Sequence, residues 1–373
     1  YYYWKIILNI HNILMTQYYY IKSIYLNFKV YCKYFFSILI LPFAYFISIL
    51  IKKNKHKKKV FLSLIKYTQT EGKTKYKNNY RVIDSIKEAG YDFKFINIDI
   101  NDKLYKKFFY NVLILIKIIK LNPKYIYFFS DIQPSGNYPN IIVFYLISKI
   151  IKCKTICISH DFNWKINDKY LELHKKLFDT TIAQPYAYFK NHKKILFADP
   201  WYGLNELIIS PKNKRNIDIL FVGRKGKNQS RNTYINKLLK DGFNLKVYGP
   251  GYGKTLSFKE YKRLYSKTKI ALNVTGLNKN PNLKSLKHPR GRALEVLAFG
   301  CLLLEENNKS TNLLLKKNKH FIEFSNYKNL KSQLRYYLLN FDKYGKKIAL
   351  AGQKHYINNY SPKSMWNKIF IRL

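Results

Sequence analysis

His288-Pro289-Arg290-Gly291-Arg292-Ala293-Leu294-Glu295-Val296-Leu297-Ala298-Phe299-Gly300 runs without a break into Cys301-Leu302-Leu303-Leu304-Glu305. The order of residue types spells loop, short helix, glycine stop and buried strand. Pro289 suits the first turn of a helix, where its missing N–H is no loss, and Gly300 suits the residue that ends one. Two arginines, Arg290 and Arg292, would set cationic forks beside backbone N–H groups that a helix start already polarises toward an anion. That is a diphosphate site in outline. Glu295 lies one turn beyond Arg292 on the same helical side, within reach of hydroxyls on whatever the arginines hold. The same spacing suits a surface helix in which Arg292 and Glu295 pair with each other, so spacing alone leaves both readings open.

Outward from this segment, short β-rich apolar runs alternate with amphipathic stretches, the pattern of βαβ units. In the first half the runs predict strands at Val60–Tyr67, Tyr91–Ile98, Tyr125–Asp131, Lys154–Asp161, Thr181–Gln184 and Ile195–Ala198. In the second they predict Ile217–Gly223, Leu245–Gly249, Lys269–Thr275, Cys301–Glu305 and Phe321–Phe324, with a long helical tail from Tyr327. Lys77–Ala89 reads as a helix, with Val82, Ile83, Ile86 and Ala89 on one face and Gly90 as its stop. Turn residues at Asp199–Gly203 and Ser210–Asn216 mark a linker. The organisation expected is a membrane-associating segment at 1–59, an α/β domain at 60–205, a second at 206–345 and a closing helix at 346–373. Open α/β sheets bind ligands beyond the carboxyl ends of their strands, so function is sought in the loops that follow the strands.

A chain of 373 residues with 47% hydrophobic content can bury two cores. Its 68 Lys and Arg against 21 Asp and Glu give +47, which suits nucleic acid, anionic lipid or a phosphorylated substrate. Lys, Ile, Asn, Tyr and Phe are inflated together, and all have A/T-rich codons, so codon composition accounts for the excess equally well. Three of the four cysteines, Cys153, Cys157 and Cys301, sit in apolar runs and read as reduced core residues; Cys32 lies near the start of the chain. No pair has C-x-x-C spacing and no histidine cluster completes a ligand set, so neither a metal nor a cofactor is expected. Tyr34–Ile51 is uncharged and apolar, close to the roughly 20 residues of a spanning helix, and a basic run through Lys59 follows it. With Pro42 at its centre, it suits a membrane-surface or re-entrant helix as well as a span, with 34–59 in contact with the inner face of the cell membrane; a helix buried within the protein or between subunits has the same pattern.

The segment from Arg290 resembles the donor-binding motif of group 1 glycosyltransferases, specifically the CgeB-like, spore-protein-type subset, in which a similar R-G-R-x-x-E-x-L-A-x-G-x-L-L-L-E-E run occurs. Ile217–Gly223 resembles that family's first C-domain strand and glycine turn, and Lys269–Asn273 the strand before the donor motif. Ile348 to Gly352 with His355-Tyr356 resemble its closing helix. The resemblance covers Asn216 to Trp366 and, more weakly, Val60 to Asn205. It implies a GT-B fold of two Rossmann-like domains, the first binding acceptor and the second a nucleoside-diphosphate sugar as co-substrate.

By that resemblance Gly223 lets the backbone approach the phosphates, with Arg224 and Lys227 as charge partners. Gly249 in the glycine-rich stretch Tyr248–Gly253, Asn273 and His288 line the donor pocket. Arg290, Gly291 and Arg292 hold the leaving diphosphate, and Glu295 contacts donor hydroxyls. Glu295 matches the second glutamate of the E-x7-E pattern in retaining relatives, whereas Lys287 stands where the first would fall; retaining or inverting chemistry stays open. Tyr248–Gly253 lacks the trailing Lys-Ser/Thr of an ATP-binding P-loop.

In the first half, His160 ends an apolar strand and is the acid/base candidate, with Asp161 to orient it or to act as base itself. A loop histidine beside a capping aspartate has the same pattern. Thr70, Glu71 and Gly72 follow the first strand and Asp131 the third, where acceptor or cleft groups are expected, although turn formation explains them as well. The function expected is metal-independent sugar transfer to a glycan, lipid-linked or protein acceptor. Two alternatives remain: a non-catalytic protein that kept the fold, and a basic nucleic-acid-binding protein. Against the latter, the charge is spread along the chain and no RNP, zinc-finger or helix-turn-helix pattern occurs, so no specific nucleic acid is expected.

Overall fold

The computed structural model describes residues 59–66, 85–99, 118, 121–129, 153–159, 178–183, 195–196, 205–210, 214–225, 229–274 and 291–371. The hydrophobic segment 34–51 and its basic flank to Lys58 lie outside them. Among the described residues no helix is long and apolar enough to cross a membrane.

Two parallel sheets organise the chain. The first has strands β1 (Lys59–Lys66), β2 (Asp92–Asp99), β3 (Tyr125–Phe129), β4 (Lys154–Ser159), β5 (Thr180–Ala183) and β6 (Ile195–Leu196) in the order β2-β1-β3-β4-β5-β6. Strand β1 is central, pairing Val60 with both Phe93 and Tyr125. The second has β7 (Ile217–Val222), β8 (Leu245–Tyr248), β9 (Thr268–Asn273), β10 (Leu302–Glu306) and β11 (Ile322–Phe324) in the order β11-β10-β9-β7-β8. All eleven strands fall on runs that the sequence assigns to strands. The ends differ by a residue or two where a glycine or turn closes the run: Gly223 and Gly249 lie just past β7 and β8.

The chain divides into two compact units, Tyr1–Lys75 with Asp92–Ile182, and Tyr76–Tyr91 with Ala183–Leu373. In the second, helices α1 (Gln229–Lys240), α2 (Phe258–Ser266), α3 (Gly291–Ala298), α4 (Lys309–Leu314), α5 (Tyr327–Leu339), α6 (Lys346–Tyr360) and α7 (Pro362–Ile371) surround the sheet. The register explains how both faces are covered. Ile219, Ile270 and Leu302 form one cross-strand row, and Leu220, Ala271 and Leu303 the next. Successive side chains point to opposite faces, so the first row joins a core with Ile235, Leu238, Leu330 and Leu334 from α1 and α5. The second row joins Tyr265, Ala293, Val296, Leu297 and Tyr356 from α2, α3 and α6. A parallel strand covered on both faces calls for apolar residues, which Leu302, Leu303 and Leu304 of β10 supply; Glu305 and Glu306 at its carboxyl end are buried too.

The helix stops work as the sequence implies. Gly300 closes α3 at φ +64 and Gly90 follows the helical turn 85–88 at φ +88, conformations that cost a residue with a Cβ about 1 kcal/mol or more. Cys153 and Cys301 are free and buried, and burial pushes their thiols up to about 12 and about 11. Both are inert core groups.

Candidate functional site

The site is built where β7, β8 and α3 meet in the second sheet. Beyond β7 the chain turns at Gly223, and beyond β8 at Gly249. These two turns are zipped together by their backbones: Gly223 N donates to Tyr248 O at 2.8 Å and Lys225 N to Pro250 O at 2.8 Å. The approach is so close that a Cβ on Gly249 would land on the Gly223 carbonyl, and Gly249 also adopts φ +122. Only glycine meets both conditions. The glycine-rich stretch is therefore a brace for the Gly223 turn, and Tyr252 extends the brace by donating to Asn232 Oδ1 of α1 at 2.6 Å.

Arg292, in the first turn of α3, stands beside this turn. Its guanidinium carbon is 5.9 Å from the centroid of the Phe221 ring, and its Nη1 would lie 3.0 Å from a Cβ placed on Gly223. Arg231 of α1 also stands 6.0 Å from that ring, but its donors are spent on backbone: Nε and Nη2 reach Val274 O, and Nη1 reaches Arg224 O at 3.0 Å. Arg231 thus fixes the ends of β7 and β9. Arg292 is the guanidinium that the fold holds against the Gly223 turn, beside the N-terminus of α3.

Glu295, one turn later on α3, is buried and accepts a hydrogen bond from Tyr261 Oη at 2.5 Å. Tyr261 belongs to α2, which a capping box secures: Ser257 Oγ accepts from Glu260 N, and the Glu260 carboxylate accepts from Ser257 N. The Tyr261 ring packs 4.6 Å from Tyr265 and 5.6 Å from Phe299. Burial, reinforced by the Glu295 charge, lifts its phenol well above the ordinary range, so Tyr261 acts as a permanent donor.

Asn273 takes a different place from the rest. It ends β9 in register with Glu305 of β10, and its Nδ2 donates to Glu305 Oε2 at 2.6 Å inside the core. Asn273 Oδ1 is buried with no hydrogen-bond partner. Burial raises the Glu305 carboxyl to about 8 against the hydrogen bonds from Asn273, Thr311 and Asn308, which lower it. Glu305 is therefore a neutral acid near pH 7, braced under the carboxyl ends of β9 and β10.

Of the sequence candidates, Gly223, Gly249, Gly291, Arg292 and Glu295 come together on β7, β8 and α3, and Asn273 stands beneath them on β9. Arg224 is exposed just past Gly223. Lys227, His288 and Arg290 lie outside the described residues. So do Thr70, Glu71, Gly72, Asp131, His160 and Asp161; β1, β3 and β4 are described to Lys66, Phe129 and Ser159, just before them. Sequence reasoning missed Phe221, Arg231 and Tyr261. Phe221 and Tyr261 read as ordinary core aromatics, and their contacts exist only once α2 and α3 fold onto the sheet. Among the described residues no group of three or more His, Cys, Asp or Glu is placed to hold a metal ion.

Residues 230–370 match the family described as glycosyl transferase-like. No curated protein matches the chain. Among solved structures, a glycosyltransferase from Rickettsia africae aligns at 15% identity over 86% of this chain and 98% of its own, with a TM-score of 0.55. HepE of Anabaena, in complex with UDP, aligns at 9% identity over 85% of this chain and 100% of its own, with a TM-score of 0.54. Its complex with UDP and glucose aligns at 10% identity over 85% and 100%, with a TM-score of 0.51. The chain thus shares its α/β fold with GT-B glycosyltransferase structures.

Proposed function

We propose that the chain transfers a sugar from a nucleoside-diphosphate sugar to a hydroxyl of a glycan, lipid-linked or protein acceptor, as a CgeB-like member of the group 1 glycosyltransferases. The observation that carries this reading is Arg292, held by the Phe221 ring against the Gly223 turn at the start of α3. A glycine turn, a helix N-terminus and a guanidinium converging on one point suit a diphosphate better than any other common ligand. The match of residues 230–370 to a glycosyl transferase-like family and the UDP bound to HepE of Anabaena support the same class of donor.

In this reaction the acceptor oxygen forms a bond to the anomeric carbon, the bond from that carbon to the diphosphate breaks, and the diphosphate leaves with the electron pair. Arg292, with Arg290, Arg224 and Lys227 from the adjoining sequence, neutralises the growing charge, work that a divalent cation does in other sites. Gly291 admits the phosphates to the helix start and His288 borders them. Glu295, oriented by Tyr261, binds a donor hydroxyl. The acceptor proton passes to His160 or Asp161, and Thr70, Glu71, Gly72 and Asp131 border the acceptor. The reaction runs at the inner face of the cell membrane, with segment 34–59 in contact with lipid.

Calorimetric titration with UDP-, GDP-, ADP- and CMP-linked sugars tests the proposal, with Arg292→Ala as the comparison. Saturable binding of one donor, weakened at least about tenfold in Arg292→Ala, is expected, since one charge-assisted contact contributes on the order of 1.5–3 kcal/mol. A folded protein that binds none of them would instead be a non-catalytic relative of the fold. Turnover that chelation abolishes and a divalent ion restores would remove the metal-independent part of the reading.

A further inference from the structure

A second surface lies away from the donor site, along the end of α5, the π-helical turn Phe341–Gly345 and the outer side of α6. Most described residues of large apolar type are covered, yet Tyr336, Leu339, Tyr344, Leu350 and Ile357 are all exposed here, Leu339 by 86%. Tyr336 and Leu339 are three apart on α5 and so share a face. Tyr336 stacks on Tyr344 with ring centroids 6.1 Å apart, which carries the stripe across the turn. On α6, Leu350 and Ile357 continue it at helical spacing.

Cations flank the stripe and have no carboxylates to answer them. Lys343, Lys346, Lys347 and Lys354 are exposed, and the sequence from 336 to 357 holds one acid, Asp342. Elsewhere in this unit Lys254, Lys262, Lys269 and Lys331 do find carboxylates, in Glu260, Glu206, Asp218 and Asp241. Among the described residues none of the four stripe lysines has an ion pair, and Lys343 lies over the Tyr344 ring at 5.1 Å. A partner must therefore bring both negative charge and an apolar phase. A second copy of the chain would set these lysines against each other. Nucleic acid would supply the charge but nothing to bury Leu339, Leu350 and Ile357.

We propose that the Tyr336–Ile357 stripe docks on an anionic lipid surface, its leucines, isoleucine and tyrosines entering the headgroup region while the four lysines contact lipid phosphates. Lysine stems can lie along the apolar strip while their ammonium groups reach outward. This is the arrangement of an interfacial helix, built here on the outside of a folded domain.

Co-sedimentation of the full chain with phosphatidylcholine vesicles, with and without phosphatidylglycerol, tests the assignment. Each cation near an anionic surface strengthens partition roughly fivefold, so Lys343→Glu/Lys347→Glu/Lys354→Glu weakens binding to the phosphatidylglycerol vesicles at least about a hundredfold. The charge-matched control Lys240→Glu/Lys246→Glu/Lys259→Glu, on exposed lysines elsewhere, weakens it less than about tenfold. Leu339→Ser/Leu350→Ser weakens it several-fold without any change in charge. Equal loss in the two triple variants, undiminished binding in the stripe variant, or equal binding to pure phosphatidylcholine overturns the proposal. A stripe variant that keeps vesicle binding and loses single-stranded RNA binding assigns the surface to nucleic acid and overturns it too. Thermal melts of each variant establish that the chain is folded.

Discussion

Tyr261 and Glu295, 34 residues apart, are joined by a 2.5 Å hydrogen bond in which the phenol donates to the carboxylate. This link decides what Glu295 can do. The carboxylate is anchored on one oxygen by a group from α2. A buried acceptor oriented by a permanently protonated phenol is preorganised, and little ordering remains for a ligand hydroxyl to induce.

Tyr261→Phe keeps the ring against Tyr265 and Phe299 and removes only the donor. The unfolding free energy is expected to drop by about 1–3 kcal/mol, the cost of removing one hydrogen-bond donor from a buried acceptor. Donor-sugar affinity is expected to drop several-fold in calorimetry, while affinity for the bare nucleotide diphosphate changes less. If both affinities stay at the parent value, Glu295 does not touch the sugar nucleotide.

The glycine turns make the second prediction. A Cβ at Gly223 would sit 2.9 Å from the Phe221 ring and 3.0 Å from Arg292 Nη1, so Gly223→Ala must move the guanidinium. The expected result is a folded protein whose nucleotide binding falls at least about tenfold, since a displaced charge-assisted contact is worth on the order of 1.5 kcal/mol or more. Gly249→Ala is different in kind: its Cβ meets backbone at positive φ, where nothing flexible can yield. A stability loss of about 2 kcal/mol or more is expected in a denaturant titration. Equal behaviour of the two variants in both measurements would mean that the turns are not braced as described.

How far this was legible depended on whether the chemistry is local. Strands β7, β9 and β10 are covered on both faces, and the short apolar runs at their centres, Ile219–Val222, Ile270–Leu272 and Leu302–Leu304, are what a sequence displays openly. Gly223, Arg292 and Gly300 are legible because glycine turns, helix starts and helix stops are fixed by neighbours in the chain. Tyr261 is not: its partner is 34 residues away, and nothing near it distinguishes it from the aromatic Tyr265 on the same helix. Asn273 and Glu305 were visible as residue types, but their pairing in the core follows from the β9–β10 register.

That pairing gives a pH dependence. The folded Glu305 carboxyl sits near 8 because burial disfavours its charge, above the ordinary value of 4.5 that it regains on unfolding. Between these values the folded state binds the extra proton, so this group's contribution is whole below about pH 4.5 and is lost as pH rises through 8. His320 opposes it: burial and the nearby His355 lower its imidazole to about 4, so its contribution grows as pH rises from 4 through 6.5. Glu305→Gln still accepts from Asn273 and is expected to flatten the decline between pH 6 and 8 while leaving the rise at lower pH. Chemical denaturation across this range checks it, and an unchanged slope above pH 6 would place a charged carboxylate at Glu305.

The last prediction concerns Trp366, fully buried, whose Nε1 donates to Ser85 Oγ at 2.9 Å across 281 residues of sequence. Phe370, one turn on, stacks on Trp366 at 5.6 Å and meets Tyr91 at 4.3 Å. Residues 85–91 come from a distant part of the chain, and within this unit α7 anchors them through Ser85 and Tyr91, while Glu88 Oε2 accepts from Asn205 N at 2.8 Å. Trp366→Phe keeps an aromatic ring and loses one buried hydrogen bond, for an expected cost of about 1–2 kcal/mol. Trp366→Ala also opens a cavity, for about 3–5 kcal/mol. Hydrogen exchange separates local from global effects. If the anchor is as described, amides at 86–91 lose protection in Trp366→Phe before those of β9 and β10 do. Uniform loss across the sheet would mean that α7 supports the core as a whole, with no special hold on residues 85–91.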